Sequence, residues 1–532
     1  MRALKTTSPG AAQGRGFVDR AMAGMERVGN RLPHPALLFS GLLVIVCGVS
    51  TLLAALGASV TVPGEGETLE VRGAFTGEGV VWMLENFIPN FTGFPALGSV
   101  LLMMAAVGVA ERTGLLETAV RASLARAPRA VLPYLVAFVA CQGHLMGDVA
   151  ILVMPPLAAL VFRGAGRHPV AGLIGGFACV CAGYAAGFTI GALDALYVGI
   201  TQESAAVLPQ GASVPTHMLI NYFYTAAAST VLAVVGGFVI ARVLEPRLPP
   251  PRQQTGEHTG EPSADGEDAG AGALPATGVT PVQMRGLRRA LWAVSVYAAA
   301  VATGWLLPGS PLRGTGGALV PSPVLDGVVP LLFVAFVLAG TVYGVTVRTL
   351  TQTDDVPRMM AEAVTGMSAY IILILVISQV IGVFTWSNLG LLLAVRSAAL
   401  LEAAGLTGYA GLVVFVLLVC VLNLLITSGS ALWSLMAPVF VPAFMLLGMQ
   451  PAATQAAFRI GDSATQLVTP MNPYVFLLLV VLRGYEPGAQ LGTLLSRLVV
   501  FVPPFLVAWL LVLGVFYGLD LPLGPGADIR MP

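Results

Sequence analysis

Long apolar runs recur along this chain from Ala36 almost to its C-terminus, separated by short polar stretches rich in Arg, Glu, Gly and Pro. Runs of this length read as membrane-spanning helices. The pattern places a first span over Ala36–Gly57, then a Glu-rich loop over Ala58–Asn90, then a span over Phe94–Ala110. Leu115–Arg126 has apolar residues at helical spacing with Arg on the other face, the pattern of an interfacial helix. Val131–Phe162 is apolar but interrupted by CQGHLMGD and by Pro155-Pro156, and Gly172–Thr201 is interrupted at GFTIGALD. Met218–Val243 is a long span. In the second half, spans fall near Ala290–Leu307, Val328–Val347, Thr365–Val395 and Tyr409–Ile426. A broken Thr427–Tyr474 region and a last span, Leu498–Gly518, complete the pattern.

Composition agrees. Of 532 residues, 56% are hydrophobic and 10% charged, with mean hydropathy +0.84. A soluble domain is nearer 25% charged. The fold class read here is an all-α polytopic membrane protein. Net charge is zero, so no nucleic-acid partner is indicated. The five cysteines lie in apolar segments without zinc spacing and read as buried hydrophobes. Walker A, HEXXH and GxSxG patterns are absent, so the reading is a non-enzyme with no cofactor.

Charge fixes the organisation. Residues 1–35 carry Arg2, Lys5, Arg15, Arg20, Arg27 and Arg31, a cytoplasmic tail by the positive-inside rule. Residues 36–248 form a first half with a hairpin near 131–162. Residues 249–286 form a cytoplasmic linker, too polar to fold alone over its first thirty residues. Residues 287–518 form a second half with a hairpin near 427–448, and 519–532 an external tail. The halves share a pattern: Asp148 precedes Pro156 by eight positions, and Ser430 precedes Pro438 by eight, each followed by a broken helix bearing an acid. Repeats with one discontinuous helix each put a binding site at their interface.

The candidate chemistry sits at those breaks. Asp194 and Asp462 are intramembrane carboxylates, a functional-site signal because charge at that depth is expensive. They are candidate proton carriers or cation ligands, with Asp148 a third. Arg459, three residues before Asp462, either pairs with it on one helix face or meets an anionic substrate. Ser428, Ser430, Ser463, Thr465 and Thr469 supply hydroxyls, and Asn423 an amide. Trp433 either stacks on an aromatic substrate or packs. His144 lies near Asp148. Pro156, Pro438 and Pro470 are read as helix breakers.

The chain resembles the AbgT family of p-aminobenzoyl-glutamate transporters along nearly its whole length. The resemblance rests on NRLPHP, NFTGF, GVAERTGLL, GRHPVAGL, DALYVGITQ, ARVLEPRL, MAPVFVP, FRIGDSATQLVTPMNPY and LPLGPGA. It implies a dimeric inner-membrane secondary transporter with about nine transmembrane helices plus two re-entrant hairpins, arranged as inverted repeats. It also implies an aromatic carboxylate substrate or sulfonamide antimetabolite export, driven by the proton gradient, sodium being the alternative. Asp194, Asn423, Ser430, Trp433, Pro438, Arg459, Asp462 and Pro470 match the family's functional positions. The chain departs from the family at the first hairpin tip, where GHLMGD (Gly143–Asp148) replaces a Ser-Asn-rich stretch, and at Gly187, where the family has Asn.

Overall fold

The computed structural model describes residues 35–61, 68–124, 127–248, 279–469 and 472–531. The tail 1–34 and most of the linker, 249–278, lie outside them. The helices in chain order begin with α1 (Pro35–Ala55), α2 (Gly77–Thr92), α3 (Pro95–Arg112), α4 (Leu115–Leu124), α5 (Leu132–Cys141), α6 (Asp148–Gly164), α7 (Pro169–Ala182), α8 (Ala192–Ala205) and α9 (Tyr222–Phe238). After the linker come α10 (Pro281–Leu306), α11 (Pro323–Asp326), α12 (Val328–Val347), α13 (Asp355–Thr365), α14 (Ser368–Trp386), α15 (Leu389–Ala403) and α16 (Gly408–Asn423). The last are α17 (Gly429–Leu446), α18 (Pro451–Thr465), α19 (Pro473–Tyr485), α20 (Leu491–Leu498) and α21 (Val502–Gly518). A small hairpin of β1 (Ser59–Thr61) and β2 (Thr68–Glu70) follows α1.

Among the described residues, seven helices or helix runs are long and apolar enough to cross a membrane. The bent pair α15/α16, at 113°, makes an eighth. Leu84 is 75% exposed and Trp292 73%. Such surfaces need a solvent as apolar as lipid. All five cysteines are buried and free, as the sequence indicated.

The core is a repeated plan. In the first half, arms α5 and α6 meet at a tip, Gln142–Gly147, and a helix follows in two pieces, α7 and α8. In the second, arms α16 and α17 meet at a tip over 424–428, followed by α18 and α19 in two pieces. The halves interlock, α8 packing on α17 and α19 on α7. Around this core stand α1, α2, α3, α10, α12 and α14.

Four expectations need correction. Residues 77–92 are helix, not loop: Thr76 caps them, its hydroxyl accepting from the Gly79 N–H at 3.2 Å, and the run that follows is apolar enough to continue into α3. Thr365–Val395 is not one span, because Asn388 at φ 59° turns the chain between α14 and α15. The second hairpin is displaced: its tip is 424–428, its arms are α16 and α17, and Gly429–Leu446 is one continuous helix. Finally, Pro156 and Pro438 break nothing. Both lie inside helices α6 and α17, where a proline removes one N–H and bends the helix but neighbouring packing keeps it intact. Pro470 lies outside the described residues, within the gap between α18 and α19.

The C-terminal segment is no free tail. Leu523, Ala527 and Ile529 are fully buried, and the Gln450 N–H donates to the Ile529 carbonyl at 2.8 Å.

Candidate functional site

Two helix breaks and two hairpin tips converge at the centre of the core. The first break, 183–191, follows from GYAAGFTIG, whose glycines weaken the helix. Unwound backbone in an apolar interior must find partners, and here some are local while others come from distant elements. The Trp509 indole N–H donates to the Ala182 carbonyl at 3.3 Å. Arg459 Nη1 donates to Ala185 O at 3.1 Å. The Phe188 N–H donates to Gln142 Oε1 at 3.0 Å, and His144 Nε2 lies 2.8 Å from Thr189 O. In the second break, Asn472 donates to Gln466 O at 3.2 Å and accepts from the Tyr474 N–H at 3.0 Å. Thr469 Oγ1 donates to Leu424 O at 2.9 Å, joining this break to the second tip.

Asp194 and Arg459 form an ion pair across the halves, Oδ1 to Nη1 at 2.7 Å. The other Asp194 oxygen accepts from the Gly191 N–H at 2.9 Å, so the carboxylate also caps α8. Arg459 is 1% exposed, its guanidinium 5.2 Å from the centroid of the Tyr197 ring. The alternative of an Arg459–Asp462 pair is therefore not realised. Both residues lie on α18, but the arginine reaches into the first break instead.

Asp462 is left without a cation within ion-pair reach among the described residues. It is fully buried. One oxygen accepts from the Tyr197 hydroxyl at 2.7 Å; the other has no hydrogen-bond partner. Arg459 Nε and Ser463 Oγ are likewise unpartnered. Buried polar atoms without partners are costly, and these three lie within five residues of one another on α18. Asn423 holds the α18 backbone, donating to the Asp462 carbonyl at 2.7 Å and to Thr465 Oγ1 at 3.1 Å.

The second tip presses directly onto this pair. A Cβ added to Gly429 would lie 2.3 Å from the Tyr197 hydroxyl and 2.6 Å from Asp462 Oδ2. Only glycine lets the start of α17 approach so closely. Beside it Ser428 and Ser430 share a hydrogen bond at 3.0 Å. Gly429→Ala is expected to leave the protein folded but to push the tip off Asp462 and lower transport about tenfold or more, measured as initial uptake in proteoliposomes.

Trp433 does not offer its face to a ligand. It is fully buried, its ring 4.6 Å from that of Phe458. Its N–H donates to Tyr197 O at 3.1 Å and Thr201 Oγ1 at 3.2 Å. It joins α17 to α8. Asp148 begins α6, and its side chain falls outside the described residues. His144 turns toward the first break instead: a Cβ at Gly187 would lie 1.8 Å from His144 Cε1. The His144 imidazole thus fills the space a side chain at 187 would need. Gly187→Ala is expected to destabilise by about 1–3 kcal/mol through overpacking. Adding His144→Ala should recover part of that loss, as read from melting curves of the two variants.

Sequence reasoning missed Tyr197, which touches both charged residues. Its spacing from Asp194, three residues on one helix, was the available signal. It also missed a polar chain in which Asn221 Nδ2 donates to Gln455 Oε1 at 2.5 Å and Gln455 Nε2 donates to Thr201 Oγ1 at 2.7 Å. No group of three His, Cys, Asp or Glu converges as a metal site among the described residues.

Comparison with known proteins gives a consistent result. Residues 20–531 match the family described as the AbgT putative transporter family. The chain is 36% identical to the p-aminobenzoyl-glutamate transport protein of Escherichia coli (strain K12) over 509 residues, 95% of this chain and 96% of that one. It superposes on the crystal structure of the Alcanivorax borkumensis YdaH transporter with TM-score 0.83 and 32% identity, covering 93% of this chain and 100% of that chain. Neisseria gonorrhoeae MtrF, described as illuminating a class of antimetabolite efflux pumps, gives TM-score 0.87 and 32% identity, covering 96% and 100%.

Proposed function

We propose, from the premise that this chain belongs to the AbgT family of transporters, that it is a proton-coupled secondary transporter for an aromatic carboxylate. The Escherichia coli relative is a p-aminobenzoyl-glutamate transport protein, and MtrF belongs to a class of antimetabolite efflux pumps. The first suggests a substrate with an aminobenzoyl ring and an acidic group.

The observation that carries the reading is the division of labour between the two acids. Asp194 is paired with Arg459 across the halves, while Asp462 is buried with only a tyrosine hydroxyl. An ionised carboxylate buried without a cation is costly. Asp462 is therefore the group whose proton is held when the site is closed and exchanged when it opens. Arg459, with Nε unpartnered, supplies a donor for a substrate carboxylate that competes with Asp194. Competition of that kind links substrate arrival to rearrangement of the two breaks, the step alternating access requires. Trp433, Asn423 and Ser430 would position α17 and α18 around the substrate.

The Arg-rich helix ends beside the linker support a cytoplasmic linker and N-terminus in an inner-membrane protein, by the positive-inside rule. The resemblance to the family, rather than any feature of this chain, supports a homodimer.

Counterflow in proteoliposomes with p-aminobenzoyl-glutamate and with a sulfonamide, with and without a pH gradient, tests the function. Exchange of either compound, accelerated or made uphill by the pH gradient, is the expected result. Uphill transport that follows a sodium gradient and ignores a proton uncoupler would replace proton by sodium coupling. Turnover of the compound in detergent would point to an enzyme.

A further inference from the structure

A cavity lies away from the charged centre. It measures about 900 Å³ and is walled by the C-terminal end of α3, by α4, by the start of α10 and by the end of α12. Five arginines line it, Arg112, Arg121, Arg285, Arg289 and Arg348, against two glutamates, Glu111 and Glu117.

Two arginines are already engaged. Arg112 pairs with Glu362 at 3.1 Å and Arg121 with Glu117 at 2.5 Å. Arg285, Arg289 and Arg348 have no hydrogen-bond or ion-pair partner among the described residues. Arg348 holds its place at some conformational cost: it ends α12 at φ 64°, a position usually given to glycine. The N-terminus of α10 opens onto the same space, and Thr280, Val282 and Gln283 line it. Thr280 and Gln283 already cap this end, each donating its N–H to the other's side chain, so the helix adds its positive dipole end to the attraction for an anion.

The base is rigid. Tyr343 is 1% exposed, and its hydroxyl is hydrogen-bonded to Thr118 at 2.6 Å. Ala110, Leu115, Ala290 and Ala339 pack around it. Gly286 lets α10 close on that ring, since a Cβ there would lie 3.0 Å from Tyr343 Cδ2.

We propose that this cavity is a phosphate-binding site, formed by Arg285, Arg289 and Arg348 at the N-terminus of α10. Guanidinium forks pair bidentately with carboxylate and phosphate alike, and a phosphate has more oxygens for three forks to share. Arginines near a membrane surface are expected from topology alone. What topology does not require is three unpaired guanidiniums sharing one preformed cavity with a helix N-terminus. The phosphate reaches it from one of two sources. Val282 and Trp292 expose apolar surface on α10, which gives an anionic lipid headgroup lateral access. The open mouth admits a soluble phosphate.

Two measurements on the purified full chain separate these sources. Native mass spectrometry compares retention of phosphatidylglycerol with that of phosphatidylcholine. Thermal melting compares sodium phosphate with sodium chloride at equal ionic strength. The parent is expected to prefer phosphatidylglycerol, to melt higher in phosphate, or both. In R285A/R289A/R348A the preference should fall about tenfold and the phosphate shift should vanish. Lipid preference alone identifies a lipid site, and a phosphate shift alone a soluble-ligand site. A parent with neither effect, or an alanine variant that keeps them, overturns the proposal. The variant R285K/R289K/R348K keeps charge and fold but loses the forks. Binding equal to the parent's would reduce the effect to diffuse positive charge and also overturn it.

Discussion

Replacing Arg459 with methionine is expected to reduce transport to the level of empty liposomes and to destabilise the protein by about 3–5 kcal/mol, the usual cost of removing one partner from a buried ion pair. Arg459 is fully enclosed and holds both the Asp194 carboxylate and the Ala185 carbonyl of the first break. Its loss leaves a carboxylate and an unwound carbonyl without their donor. Much of the penalty is the stranded Asp194 charge, so Arg459→Met with Asp194→Asn should regain most of the stability while transport stays absent. A double-mutant cycle on melting, run beside an uptake assay, separates the two effects. Equal instability in the single and double variants would mean that Arg459 acts mainly through Ala185 and through Gln455, whose Oε1 accepts from Arg459 Nη2 at 3.4 Å.

Asp462→Asn is expected to behave in the opposite way. Asparagine has the same shape, and its amide oxygen still accepts from the Tyr197 hydroxyl, so stability should stay within about 1 kcal/mol of the parent. Counterflow, which needs no net proton movement, should continue. Uphill accumulation driven by a pH gradient should disappear, because the amide cannot carry a proton. Retained accumulation in this variant would remove Asp462 from the coupling step and pass that role to Asp194. Loss of both counterflow and accumulation, with the fold intact, would assign Asp462 to substrate binding instead.

Asp194, Asp462 and Arg459 were legible in the sequence because charge in an apolar run is conspicuous and costly. Their pairing was not. Spacing put Arg459 beside Asp462 on one helix face, and only the crossing of α8 against α17 and α18 brought Asp194 within 2.7 Å of the guanidinium. Gln455 was missed because a lone Gln in a helix carries no signal, and Tyr197 because its spacing from Asp194 is a weak one; their importance lies in what stands opposite them. Trp433 shows the reverse. Its sequence position allowed stacking on a ligand, but Phe458 and the Thr201 hydroxyl already occupy its face and edge. Pro156 and Pro438 show why a local breaker rule weakens in an apolar interior: with no water to take the freed carbonyl, packing holds the helix together.

Beside the resemblance to the AbgT family, the sequence by itself determined a polytopic helical membrane protein, the first helix break at GFTIGALD and the charged residues Asp194, Arg459 and Asp462. These follow from local quantities, hydropathy, Gly and Pro content and the cost of burying charge, which act wherever the segment sits. Tertiary structure alone decided which acid takes the arginine, that Gly429 must be glycine for the second tip to reach Asp462, and that His144 fills the space beside Gly187. Each depends on residues far apart in sequence meeting within a few ångströms, and that distance is set by how the two halves interlock.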